Sequence, residues 1–125
     1  MESENNSVSE NGKNISASGA NPDLPGFSEK SLDRHWGGVR DHSDQYEGLT
    51  KEQYAERAVE LARSAVGGDI DGYKSTQGKF KGSIVRYNRS TNDWVRVYPT
   101  SGIATMFKPE DNADYFERLK THETR

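Results

Sequence analysis

The chemistry open to this sequence near neutral pH turns on its three histidines, His35, His42 and His122, because it contains no cysteine. Disulfides, thiol catalysis and Cys-type zinc sites are thereby excluded. Imidazole titrates near neutral pH and can serve as base or acid. His35 and His42 lie seven residues apart in Leu32-Asp-Arg-His-Trp-Gly-Gly-Val-Arg-Asp-His42. That spacing puts both on one helical face if a helix survives Gly37-Gly38. A zinc ion would need a third ligand, and none stands out; His-x6-His is also not a familiar helical ligand spacing. No Ser-His-Asp order, Walker loop or dinucleotide fingerprint is present. His122 lies in a charged tail and reads as a solvated surface residue. No cofactor is implied.

A metal-free ribonuclease suits what remains. RNA carries its own nucleophile, the 2′-OH, so the protein needs a base, an acid, and cationic or hydroxyl donors around the phosphate. Lys and Arg can hold that phosphate. Tyr87, Trp94, Tyr98 and Phe107 could stack an unpaired base. The charge distribution fits an anionic partner. Residues 70–109 hold seven Lys and Arg (Lys74, Lys79, Lys81, Arg86, Arg89, Arg96 and Lys108) against Asp71 and Asp93. Residues 28–69 hold six basic residues against nine acids, and 110–125 three against five, so net −3 hides a basic middle. Such a segment inside a neutral domain suggests a local anionic ligand.

The elements that would position these groups can be read from pattern. The chain has 125 residues, 30% apolar and 30% charged, with mean hydropathy −1.04. Spread evenly, that composition would approach the disordered class. It is not spread evenly. Residues 1–26 lack aromatics and read as a flexible leader, whereas 27–125 hold both Trp, all six Tyr and all four Phe. The second segment can build one small core. No apolar run approaches membrane-span length, and no signal peptide is evident.

Ser31 can cap a short helix with Leu32, Trp36 and Val39 on one face. Thr50-Lys-Glu-Gln53 is a capping box opening a helix whose apolar face is Tyr54, Ala58, Leu61, Ala62 and Ala65, stopped by Gly67-Gly68. After Gly68 the period changes to two. Strands are expected at 70–75, 83–87, 94–98 and 103–108, with 88–93 as a hairpin loop and Pro109 as a stop. Tyr115, Phe116 and Leu119 suggest a final helical turn. Helices followed by a three- or four-stranded antiparallel meander make an α+β fold. Trp36 reads as core, whereas Trp94 and Tyr98, sharing a strand face with Arg96, suit core and stacking equally.

Several of these stretches together resemble a known family. They are Leu32-Asp-Arg-His35-Trp36, His42 followed by Ser-Asp-Gln-Tyr46, the capped helix with Glu52-Gln-Tyr54, and Gly102-Ile-Ala-Thr105-Met-Phe107-Lys108-Pro109 before Asp114-Tyr115-Phe116. Over about 27–120 the chain is similar to the barnase/EndoU/colicin/RelE (BECR) superfamily of bacterial toxin nucleases, especially C-terminal toxin tips of contact-dependent growth-inhibition proteins. The resemblance implies a metal-independent endoribonuclease, tRNA-directed, leaving a 2′,3′-cyclic phosphate and a 5′-OH. It implies His42, in Arg40-Asp41-His42, as the catalytic acid/base, with His35 as the other candidate. It places Thr105 and Lys108 at the phosphate and Phe107 against a base, with Lys79, Lys81 and Arg86 holding RNA beside Arg40 and Tyr87. It further implies a cognate immunity protein over the active site and a host helper such as an elongation factor. Delivery would be from the cell surface, as part of a larger protein, into the target-cell cytoplasm. From another class, the same basic sheet suits a non-catalytic module binding RNA or protein, and a phage-related nuclease-fold domain without toxicity is a third reading.

Overall fold

Period-two patterning after Gly68 becomes four strands, β1 (Ile70–Lys74), β2 (Ile84–Asn88), β3 (Asp93–Tyr98) and β4 (Gly102–Phe107), in a computed structural model that describes residues 16–125. They form one antiparallel sheet in sequence order. Before them come α1 (Glu29–His35), a 3₁₀ turn (Ser43–Gln45) and α2 (Lys51–Arg63), and after them α3 (Ala113–Glu123). The fold is α+β. Where the sequence suggests only a final helical turn, α3 is an eleven-residue helix.

The capping box forms as expected: Thr50 Oγ1 accepts from the Gln53 N–H, and the Thr50 N–H donates to Gln53 Oε1. Tyr54, Ala58, Leu61 and Ala62 are buried, but α2 ends at Arg63, leaving Ala65 exposed beyond it. The cap of α1 is Ser28, not Ser31; its hydroxyl accepts from the Ser31 N–H. Phe27 and Leu32 stand at the two positions of a hydrophobic staple and pack on the same core, which favours the earlier start. The helix stops at His35, so Val39 is not on its apolar face; it lies in the following loop, 85% exposed.

Strand parity sorts the sheet into two faces. Ile84, Val95, Val97, Ile103 and Met106 pack with Leu24 and α2, while Tyr73, Val85, Tyr87 and Trp94 pack with Phe116 of α3. In β4 the alternation slips. Arg96 pairs with Thr105 but Val97 pairs with Ile103, leaving Ala104 as an extra residue. This bulge lets Ile103 enter the α2-side core while Thr105 and Phe107 face the other way. Bulges re-aim side chains in this manner and are frequent beside functional sites.

The last part of the expected 1–26 leader is packed structure. From Ser16 onward the chain packs against the domain: Asn21 and Leu24 are buried, Val66 N–H donates to the Ser18 carbonyl, and Ile103 N–H donates to that of Gly26. Residues 1–15 lie outside the described residues. Gly102 sits at φ +96°, and a Cβ there would fall on the Gly26 carbonyl oxygen. Gly102→Ala therefore incurs both a left-handed backbone and a main-chain collision, and should cost about 2 kcal/mol or more. In thermal unfolding followed by circular dichroism, that is a drop in Tm of roughly 10 °C.

Candidate active site

No single helix joins the two histidines; a tight loop does. After α1 the chain doubles back, with Arg40 N–H donating to the Arg34 carbonyl and His42 N–H to that of His35, each at 2.9 Å. Asp41 braces the loop, its Oδ1 accepting from Ser43 N–H at 2.9 Å and Gly37 N–H at 2.8 Å. Those two backbone donors hold the Asp41 carboxyl below its ordinary pKa. Gly37 makes the reversal at φ +89°. The imidazoles of His35 and His42 then stack with centroids 5.5 Å apart, and His42 stacks in turn on Phe107 at 5.4 Å.

His35 is 7% exposed and its Nδ1 lies 2.9 Å from the Ser31 carbonyl oxygen. A carbonyl only accepts, so Nδ1 carries the hydrogen and Nε2 remains for chemistry. Ser31 also ties α1 to β4, its hydroxyl donating to the Ile103 carbonyl. His42 Nε2 approaches Thr105 Oγ1 at 3.5 Å, the outer limit of a hydrogen bond. Contacts of this kind are often long until substrate is bound.

Burial, and then the neighbouring His35, lower the pKa of His42, opposed by Asp41 and Asp44, with Arg40 adding a little to the lowering. The neutral ring is thus the resting form at pH 7, which suits a base. Folding stability follows from the same shift. An unfolded chain protonates His42 near pH 6.5, whereas the folded one does so only at lower pH. Stability from this residue is therefore complete above about pH 6.5 and declines as pH falls from there toward the folded-state pKa. Urea melts at pH 7.5 and 5.5 should show a smaller pH-dependent loss for His42→Asn than for the unaltered chain.

The rings open onto a cleft of about 610 Å³, floored by Trp94, Thr105 and Phe107 and flanked by Phe80, Tyr98 and Tyr115. Arg34 and Arg40 stand exposed on the histidine side of its lining. Phe80, also in the lining, stands in the β1–β2 loop between Lys79 and Lys81, both exposed. None of these four cations forms an ion pair among the described residues. Aromatic rings, two imidazoles, a hydroxyl and two exposed arginines suit a planar group attached to an anion. The described residues hold no group of three or more His, Asp or Glu that could ligate a metal ion.

Of the residues singled out in the sequence, His35, His42, Thr105, Phe107 and Arg40 meet in this cleft. Lys79 and Lys81 flank the lining residue Phe80 in the chain but do not line the cleft themselves. Three do not belong to it. Lys108 follows Phe107 by one residue and so points to the opposite face, where its Nζ donates to Asp93 Oδ1 at 2.9 Å and to the Thr91 carbonyl at 2.8 Å. Asp93 also accepts from Tyr46, Arg57 and Thr91. Burial alone would raise that carboxyl, but these four donors, Lys108 foremost, bring it below its usual range. Arg86 is 0% exposed on the α2 side of the sheet, its guanidinium spent on backbone carbonyls. Tyr87 is buried against Phe116 with ring centroids 5.3 Å apart. With Arg89 bound to Asp71 and Glu117, the basic middle is largely consumed internally.

The sequence reading missed Arg34, Phe80 and Tyr115, which no local pattern marks. It also passed over Arg96, although Arg96 shares a strand face with Trp94 and Tyr98. No protein-family model and no curated protein matches this chain. No helix among the described residues is long and apolar enough to cross a membrane.

Proposed function

We propose that this domain is a metal-independent endoribonuclease, tRNA-directed, of an interbacterial competition system. The observation that carries the chemical part is the stacked His35–His42 pair beside Thr105, opening onto an aromatic cleft lined by the exposed Arg34 and Arg40. Neutral His42 accepts the proton of a ribose 2′-OH at Nε2. The 2′-oxygen attacks the adjacent phosphorus, the P–O5′ bond breaks, and the leaving oxygen takes a proton from the imidazolium pair. The products are a 2′,3′-cyclic phosphate and a 5′-OH, with no atom unaccounted for. Stacked imidazoles suit this exchange, because a proton on one ring disfavours a proton on the other. Thr105 donates to a phosphate oxygen, Arg34 and Arg40 bind the chain of phosphates, and Phe107 or Tyr98 stacks an unpaired base.

The toxin setting rests on the family resemblance over 27–120. It brings a cognate immunity protein covering the cleft, acidic where it meets Arg34, Arg40, Lys79 and Lys81, and a host helper such as an elongation factor. The test is incubation of the purified chain with total bacterial RNA in EDTA, resolved on a denaturing gel. Discrete tRNA-sized fragments with cyclic-phosphate ends are expected. RNA left intact, with and without added cell lysate, would instead leave a binding module on the same surface.

A further inference from the structure

We propose that Arg96 is the anion anchor on the floor of the cleft, and that Glu123, in the last turn of α3, is the positioning residue that aims it. This rests on the RNA-cleaving function proposed above and names the group that seats the phosphate. Arg96 is cross-strand partner to Thr105 on the cleft face. Directly paired residues have Cβ atoms roughly 5 Å apart, so one phosphate can meet both side chains. The guanidinium is sandwiched, 4.1 Å from the Phe80 ring centre and 5.1 Å from that of Trp94. Its two terminal nitrogens are fixed from behind: Nη1 donates to Glu123 Oε1 at 2.9 Å and Ser83 Oγ at 2.7 Å, and Nη2 to Glu123 Oε2 at 2.8 Å.

The third nitrogen, Nε, donates to nothing among the described residues. Arg96 itself lines the cleft, on the strand face it shares with Thr105. A cation that is 4% exposed, held by a bidentate carboxylate, paired across the strands with Thr105 and with Nε unbonded among the described residues is preorganised to receive an oxyanion. Glu123 is itself locked, because its carbonyl accepts from both Thr76 N–H and Thr76 Oγ1. Docking of α3 onto the β1–β2 loop thus sets the aim of the donor.

The unmodified chain gives the direct test. Its arginine Nε–H signals are followed by ¹⁵N-correlated NMR while a 2′-O-methyl RNA oligonucleotide, which cannot be cleaved, is added. The Arg96 signal should shift, and that of Arg86, buried on the opposite face, should stay still. Arg96→Lys, folded by circular dichroism, should raise KM about tenfold with a smaller change in kcat, the loss expected for one charge-assisted bond made in both ground and transition state. Glu123→Gln should move KM in the same direction and broaden the Arg96 signal. A His42 ring signal that shifts while Arg96 does not would overturn this assignment and leave the nuclease reading intact. A mixture in which neither shifts, from a chain that leaves RNA whole, would overturn both.

Discussion

His42→Ala should abolish RNA cleavage while leaving the fold and RNA binding in place. General acid–base catalysis by a positioned imidazole contributes roughly 10²–10⁴-fold, so kcat should fall by that factor. The Kd for a 2′-O-methyl oligonucleotide should change by less than about threefold, since Arg34, Arg40 and the aromatic floor remain. His42 and not His35 is the residue to expect this from. His42 is half-buried at the cleft with Nε2 toward Thr105, whereas His35 is 7% exposed and packs between His42 and Phe27. The lowered pKa of His42 adds a signature. With a neutral base, kcat/KM rises with pH with its midpoint below the ordinary imidazole value of about 6.5, because burial and His35 hold the ring's pKa down. A variant that keeps full cleavage would move the base to His35. His35→Ala would then lose activity, but it should also lose stability, because it breaks the bond to Ser31 and the packing on Phe27.

The same loop shows how far sequence alone reaches. Thr50-Lys-Glu-Gln53 was legible because a capping box is a local, four-residue device whose partners are all in view. The histidines were legible as a pair through a helical spacing that the fold does not use. Gly37 breaks the helix, and Asp41 rebuilds the proximity by bonding two backbone N–H groups. That outcome depends on three residues acting together, which no periodicity records. The strands were visible, yet their parity decided everything about the basic residues. Arg86 stands one residue from Tyr87 and Lys108 one from Phe107, so each faces away from the cleft. A reading by composition pools them with Lys79 and Lys81; a reading by register separates them. Thr105 is the opposite case. Plain alternation in β4 would put Ile103, Thr105 and Phe107 on one face, and only the extra residue Ala104 lets Ile103 into the core while Thr105 meets His42. The Arg96–Glu123 pair spans 27 positions, and its aromatic sandwich draws on Phe80 from a loop. Contacts of that range are products of packing.

Arg86→Ala should destabilise the domain by about 3–5 kcal/mol, a large share of the total for a chain this size. Among the described residues Arg86 forms no ion pair; it is a buried cation bonded to carbonyl dipoles. Nε donates to Ser64 O at 2.8 Å, Nη1 to Ala17 O at 3.0 Å and Val85 O at 3.1 Å, and Nη2 to Gly19 O at 3.2 Å. One side chain thereby ties the end of α2, the segment after Ser16 and the sheet together. Its stem lies across Gly72, where a Cβ would meet Arg86 Cδ at 2.8 Å. Burial lowers its pKa to about 10, still well above neutral, so the fork stays charged at pH 7. Removing it orphans several carbonyls at once and opens a cavity, and each buried unpaired group costs about 1–3 kcal/mol. Arg86→Lys keeps the charge but offers one compact head that cannot reach carbonyls contributed by three separate segments, so it should recover only part of the loss. Hydrogen exchange localises the effect. The amides of Asn21 and Val66, which bond to Arg63 O and Ser18 O, should open earlier than that of Val95 in the sheet centre. Activity supplies the contrast with His42→Ala. Below its lowered Tm the folded fraction of Arg86→Ala should cleave RNA with unchanged kcat and KM, because the guanidinium lies on the face of the sheet turned away from the cleft. A KM that rises in the fully folded variant would place this arginine at the RNA after all.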